Sequence, residues 1–145
     1  FGGESQSTLG SAVFRSPDVL PTSELESFSF SSYKSFVGKS WQAFGEENWS
    51  KPWLLLFERP QEANRNLLQE IASVNDPATA LAGSQLTENH DSPTEAVESL
   101  KAVFDSDRIQ ELRIYRVGDS EAITGILIAA LTKGNQPIVL LFLMD

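Results

Sequence analysis

From Ser92 onward the apolar residues of this chain change period twice. Ala96, Val97, Leu100, Val103 and Phe104 recur at intervals of three and four, the spacing that lines one face of an α-helix. Ser92-Pro93-Thr94-Glu95 supplies the start. The Ser92 hydroxyl suits the backbone N–H of Glu95, the Glu95 carboxylate suits the N–H of Ser92, and proline sacrifices no hydrogen bond at a first helical position. Asp105-Ser106-Asp107 ends the run. Leu112, Ile114 and Val117 then open a β-rich segment with Arg113 and Arg116 as its outward residues. Gly118-Asp119-Ser120 is a turn, because Gly tolerates positive φ and Asp bonds its own backbone. A second strand runs from Ile123 to Leu131, a second turn is Lys133-Gly134-Asn135-Gln136, and Ile138 to Met144 is almost continuously apolar. Such a run suits a strand buried on both faces. Strands joined by loops this short pair antiparallel.

Upstream, Phe28 and Phe30 alternate with Ser27 and Ser29, the period of a short strand with a buried Phe side; a helix starting at Ser23 is the competing reading. Tyr33, Phe36, Val37, Trp41 and Phe44 place an aromatic stripe on a helix over 32–44, stopped by Gly45. Gly38 within it costs about 1 kcal/mol against Ala. Glu46-Glu47-Asn48 reads as a loop and Trp53–Phe57 as a buried strand between Pro52 and Pro60. Ala63, Leu67, Leu68, Ile71, Ala72 and Val74 line a helix over 61–75, and Asp76-Pro77 starts a short helical turn, Ala78 to Ala82. Gly83 to Asp91 is a polar loop with the single histidine, His90. Residues 1–21, rich in Gly, Ser and Pro, form a flexible lead-in, with Ala12-Val13-Phe14 resting on the body.

The expected fold is α+β. A mostly antiparallel sheet of Phe28–Phe30, Trp53–Phe57, Leu112–Val117, Ile123–Leu131 and Ile138–Met144 is covered by helices 32–44, 61–75 and 92–105. Residues 22–145 make one globular domain, since 145 residues support a single core.

Charge changes this picture more than composition does. Twenty Asp and Glu against 11 Lys and Arg leave a formal net charge of −9. An acidic surface repels nucleic-acid phosphates and attracts basic partners. The cations are dispersed, so direct nucleic-acid binding is not expected. Cysteine is absent, which excludes disulfides, thiol catalysis and Cys-based metal sites. Apolar runs are too short to span a bilayer as helices. The start, Phe1-Gly2-Gly3 in place of Met, reads as a processed or tagged one, with no signal-peptide pattern. Nothing fixes a compartment; a soluble, cytoplasmic one is favoured.

No catalytic or metal constellation is visible. Paired-carboxylate chemistry needs two acids facing each other in a cleft. The neighbouring acids Glu24 and Glu26, Glu46 and Glu47, and Asp119 and Glu121 fall in predicted loops and strand ends. His90 has no partner in sight for a triad or zinc site. The chain is therefore expected to be no enzyme, to carry no cofactor or metal, and to bind protein. Glu24, Glu26, Glu46, Glu47, Asp119 and Glu121 are the candidate partner-binding acids, steering a basic protein onto a surface where the anions gather on one side. Two rival readings stand beside this one. A structural or assembly subunit predicts an exposed apolar patch around Trp49 and Trp53 or along the last strand as a sheet edge. A small-ligand-binding domain predicts a pocket lined by Tyr33, Phe36, Trp41 and Trp53.

Thr94 to Phe104, followed by Glu111-Leu112-Arg113-Ile114-Tyr115-Arg116-Val117-Gly118-Asp119, resembles the C-terminal half of the nuclease A inhibitor-like family known from cyanobacteria. In that family a helix leads into a strand ending Tyr-Arg-Leu-Gly-Glu, and two further strands close the chain. The likeness spans 94–143, with Gly134-Asn135 at the family's last turn and Ser23-Glu24-Leu25-Glu26 similar to its acidic Ser-Glu-Ser-Glu segment. It implies an α/β/α sandwich with an antiparallel sheet and an inhibitor that docks on a basic nuclease. The family ends in a Glu-Thr tail whose Thr reaches the nuclease metal; this chain ends Phe142-Leu143-Met144-Asp145, so that tip chemistry is not matched.

Overall fold

In the computed structural model, which describes residues 10–88, 91–119 and 121–145, five strands form one antiparallel sheet with helices against both faces. The strands are β1 (Gly10–Arg15), β2 (Leu54–Glu58), β3 (Ile109–Gly118), β4 (Thr124–Thr132) and β5 (Pro137–Met144), in the order β1-β5-β4-β3-β2. Helices α1 (Leu25–Val37), α2 (Lys39–Phe44) and α3 (Glu46–Ser50) cover one face. Helices α4 (Leu67–Ala72), α5 (Pro77–Glu88) and α6 (Pro93–Phe104) cover the other.

The expected α+β architecture and its closing three-stranded meander are present. Side chains alternate across a strand, so the apolar runs of β4 and β5 divide between two cores. Ile126, Ile128, Ala130, Leu140 and Phe142 face α4–α6, while Leu127, Ala129, Leu131, Val139, Leu141 and Leu143 face α1–α3. The first turn is held by Asp119, whose Oδ1 accepts from the N–H groups of Glu121 and Ile123 at 2.9 Å each. At the second, Asn135 adopts φ 59°. Proline opens α6 as expected, and the Ser92 carbonyl accepts from Ala96 N, but the Ser92 hydroxyl makes no capping bond. Arg113 and Arg116, expected outward, are only partly so: with helices on both faces their side chains are 14% and 38% exposed.

The expected strand at Phe28–Phe30 is helix. Leu25, Ser29, Ser32, Tyr33 and Val37 are its buried residues, a spacing of three and four that begins at Leu25. Two serines sit on the inner face because each hydroxyl donates to the carbonyl four residues back, Ser29 to Leu25 at 2.7 Å and Ser32 to Phe28 at 2.9 Å. A serine so satisfied buries without an unpaired donor. The fifth strand comes instead from the lead-in: Gly10–Arg15 pairs with Ile138–Leu143. This places β5 inside the sheet, so the last strand is not an edge.

The expected helix over 32–44 is two helices. Gly38 takes φ 59° and breaks α1 from α2, a conformation glycine reaches without a Cβ penalty. Glu46-Glu47-Asn48 lies in α3 rather than in a loop. The helix expected over 61–75 spans only Leu67–Ala72, because Asn66 is its N-cap and accepts from Gln69 N at 3.2 Å. Asp76 caps α5 through Thr79 N, yet the helix continues past Gly83 to Glu88. Gly83 is there for closeness, since a Cβ would run into Ile71 of α4. His90 lies outside the described residues, as does Ser120.

A buried ion pair fastens the chain just after β2. The Arg59 guanidinium bonds both carboxylate oxygens of Glu70, with Nε to Oε2 at 2.7 Å, and caps α6 through the Phe104 carbonyl at 2.8 Å. Asp105 holds the start of α4 by accepting from Leu67 N at 2.8 Å.

Candidate functional site

The aromatic stripe of α1 and α2 is core at Tyr33, Val37 and Trp41, half-buried at Phe36, and exposed at Phe44. Tyr33 packs edge-on against Trp41 at 5.4 Å, Phe30 against Trp41 at 5.6 Å, and Trp53 lies over Tyr115 at 4.5 Å with the rings 22° apart. Where a pocket lined by Tyr33, Phe36, Trp41 and Trp53 was expected, Tyr33, Trp41 and Trp53 pack against one another and the sheet. The Tyr33 hydroxyl lies 2.7 Å from the Gly118 carbonyl and 3.0 Å from that of Trp49, and accepts from Gly118 N at 3.0 Å. Burial pushes its pKa far above the ordinary tyrosine value; the Gly118 hydrogen bond opposes and the Asp119 carboxylate reinforces. Tyr33 thereby ties α3 to the β3–β4 turn.

That tie brings the six candidate acids onto one helical layer and its adjoining turn. Glu24 precedes α1, Glu26 lies in its first turn, and Glu46 and Glu47 open α3. Four of them are already engaged. Glu26 accepts from the Trp53 indole N–H at 3.0 Å, Glu46 stands 3.9 Å from Lys34, Glu47 stands 3.5 Å from Lys51, and Asp119 holds the turn. Among the described residues no ion pair engages Glu24 or Glu121. The acids are not confined to this side, however. Glu95 and Glu98 are exposed on α6 in the opposite layer, and Glu62 is exposed before α4. Solvated acids punctuate the whole surface, so charge alone selects no face.

The sheet edge does select one. Among the described residues strand β2 is terminal in the sheet, bonded only to β3. It was expected to be buried, yet Leu54 and Leu55 are 47% and 43% exposed. Leu54 pairs with Arg116, Leu55 with Tyr115 and Glu58 with Arg113, with a bulge between Leu55 and Phe57. Two exposed carboxylates flank this edge, Glu26 on the Trp53 indole and Glu58, 3.8 Å from Arg113. Both lie near enough to raise the Tyr115 pKa; burial is the larger cause and the Arg113 guanidinium opposes. Leu54 and Leu55, consecutive in the strand, thus expose one apolar side chain on each face of this edge, between two anions. Glu58 and the leucine pair were missed from sequence; Pro52 and Pro60 bound the strand without saying whether it lies at an edge.

Among the described residues no group of three or more His, Cys, Asp or Glu is placed to hold a metal ion, and no helix is long and apolar enough to cross a membrane. Comparison with protein-family models, with curated proteins and with solved structures finds no match to this chain.

Proposed function

We propose that this chain is a non-enzymatic protein-binding module that takes an extended segment of a basic partner along the open side of β2. The observation that carries the reading is the pair of exposed leucines, Leu54 and Leu55, on a terminal strand flanked by Glu26 and Glu58. An exposed strand edge offers unpaired backbone donors and acceptors, and an added strand takes its affinity from them and its specificity from alternate side chains. Acids beside the edge favour lysine or arginine in the incoming segment and accelerate encounter. Edges guarded only against unwanted pairing carry charge, proline or a bulge. Here the bulge and Glu58 limit the docked length, while two leucines contribute apolar area that a guard has no use for.

The resemblance to nuclease inhibitors makes a sugar-non-specific nuclease the first basic partner to assay. Its activity is measured against increasing amounts of the chain, and association is followed at low and high salt. Inhibition with association that slows as salt rises is expected; no inhibition at micromolar concentration removes nucleases as the partner. A partner-free assay reaches the module itself. Peptides selected from a random display library on the wild-type protein should alternate apolar residues with Lys or Arg and lose binding to Leu55→Lys. Selected peptides that bind Leu55→Lys as well as wild type sink the edge reading.

A further inference from the structure

A cavity of about 380 Å³ opens at the end of the sheet where β3 turns into β4, beside the start of β2, where Arg116 is the cross-strand partner of Leu54. Lys51 and Arg116 face it as cations, Glu121 as an anion and Thr124 as a hydroxyl, while Pro52 and Ile123 supply apolar wall. Arg116 is held in place rather than free to swing. Its Nε donates to the Pro52 carbonyl at 2.9 Å and its Nη1 to Asp76 Oδ2 at 3.3 Å, and Asp76 is itself fixed as the cap that accepts from Thr79 N. Among the described residues the Nη2 donors of Arg116 have no partner. Among the described residues Lys51 pairs only with Glu47, at 3.5 Å between two largely exposed side chains, a contact too solvated to hold it.

The opposite charges across this cavity do not meet. No ion pair joins Glu121 to Lys51 or to Arg116, so each cation and the carboxylate present separate ends to whatever lies between them. Asp76 offsets part of the Arg116 charge and Glu47 part of that of Lys51, which argues against a phosphate and for a ligand that brings one charge of each sign. We propose that the cavity binds a free aliphatic amino acid. Its carboxylate lies between the Arg116 Nη2 donors and Lys51, its ammonium against Glu121, and its side chain over Pro52 and Ile123. A preorganised guanidinium suits a carboxylate because its donors are already aimed and lose little freedom on binding.

Titration calorimetry of the whole chain with L-leucine, 4-methylpentanoate and isopentylamine tests this, since the last two each lack one charged group and keep the isobutyl side chain. Leucine is expected to bind, with each analogue weaker by about tenfold or more, as sites built for a polar group reject ligands lacking it. Glu121→Gln should lower leucine affinity to the level of 4-methylpentanoate while leaving 4-methylpentanoate unchanged or tighter. Lys51→Gln should weaken leucine and 4-methylpentanoate together and spare isopentylamine. Both positions are exposed, and an unchanged amide NMR spectrum confirms the fold of each variant. No heat with leucine at about 10 mM, well above the millimolar affinity of weak sites, overturns the proposal. So does a Glu121→Gln variant that still prefers leucine to 4-methylpentanoate as strongly as wild type.

Discussion

Strands β2 and β5 are built from the same kind of sequence, Leu-Leu-Leu-Phe in one and Ile-Val-Leu-Leu-Phe-Leu in the other, and they meet opposite fates. β5 lies between β1 and β4 with helices on both faces, and Leu140, Leu141 and Leu143 are at most 1% exposed. Among the described residues β2 is bonded along one side only, and two of its leucines stand open to solvent. Apolarity placed both strands in the sheet; the neighbours each found decided which is core and which is surface. An apolar run that tertiary structure leaves at an edge is a contact surface in waiting, and that is the basis of the docking proposed for β2.

If this contrast is right, β2 is held by its anchor rather than by its leucines. Glu70→Ala takes both short carboxylate bonds from the buried Arg59 beside the end of β2 and leaves it Asp105 at 3.9 Å, with an expected loss of about 3 kcal/mol in guanidinium denaturation. A loss under about 1 kcal/mol, the worth of a surface pair, would mean that Arg59 finds solvent and that β2 is looser than described. Leu141→Ala in the centre of β5 should cost about 2–5 kcal/mol through its cavity, whereas Leu55→Ala should change stability by about 0.5 kcal/mol or less. Equal costs at the two positions erase the distinction between the strands.

Tyr33 tests the link between the helical layer and the β3–β4 turn. Tyr33→Phe leaves the Gly118 N–H and the carbonyls it served without that partner, at about 1–3 kcal/mol. The raised pKa sets a pH dependence. The unfolded chain ionises this tyrosine near its ordinary value of about 10 while the folded chain resists, so its contribution is full below that value and falls as pH rises above it. Denaturation at pH 8 and at pH 11 should show wild type losing more stability than Tyr33→Phe, which retains only the smaller share of Tyr115. The least perturbing measurement is amide hydrogen exchange. β5 amides should exchange only at the rate of global unfolding, and the outward amides of β2 faster by orders of magnitude.

The closing helix and meander were legible because each signal there is local: proline and acid at a helix start, period two in the strands, glycine and aspartate at the turn. Ser29 and Ser32 show where such reading misleads. A polar residue counts as outward until its hydroxyl is seen bonded to the carbonyl one turn back, and that miscount made a strand of α1. Gly83 misled in the opposite way, looking like a helix stop when it marks the approach of Ile71. Among candidate site residues, the six acids were found by composition. Glu58 and the Leu54–Leu55 pair were not, since their role depends on β2 having no strand on its far side.

By itself, then, the order of residues determined which segments are helix and strand through most of the C-terminal half, and the layered α+β plan that buries two alternating sets of side chains. Only the tertiary structure decided that Gly10–Arg15 completes the sheet, that β5 is interior, that β2 is an edge, and that Lys51, Arg116 and Glu121 share one cavity. Periodicity is written in neighbours a few residues apart, whereas strand order and the meeting of distant charges are settled by which long-range pairing buries the most apolar surface.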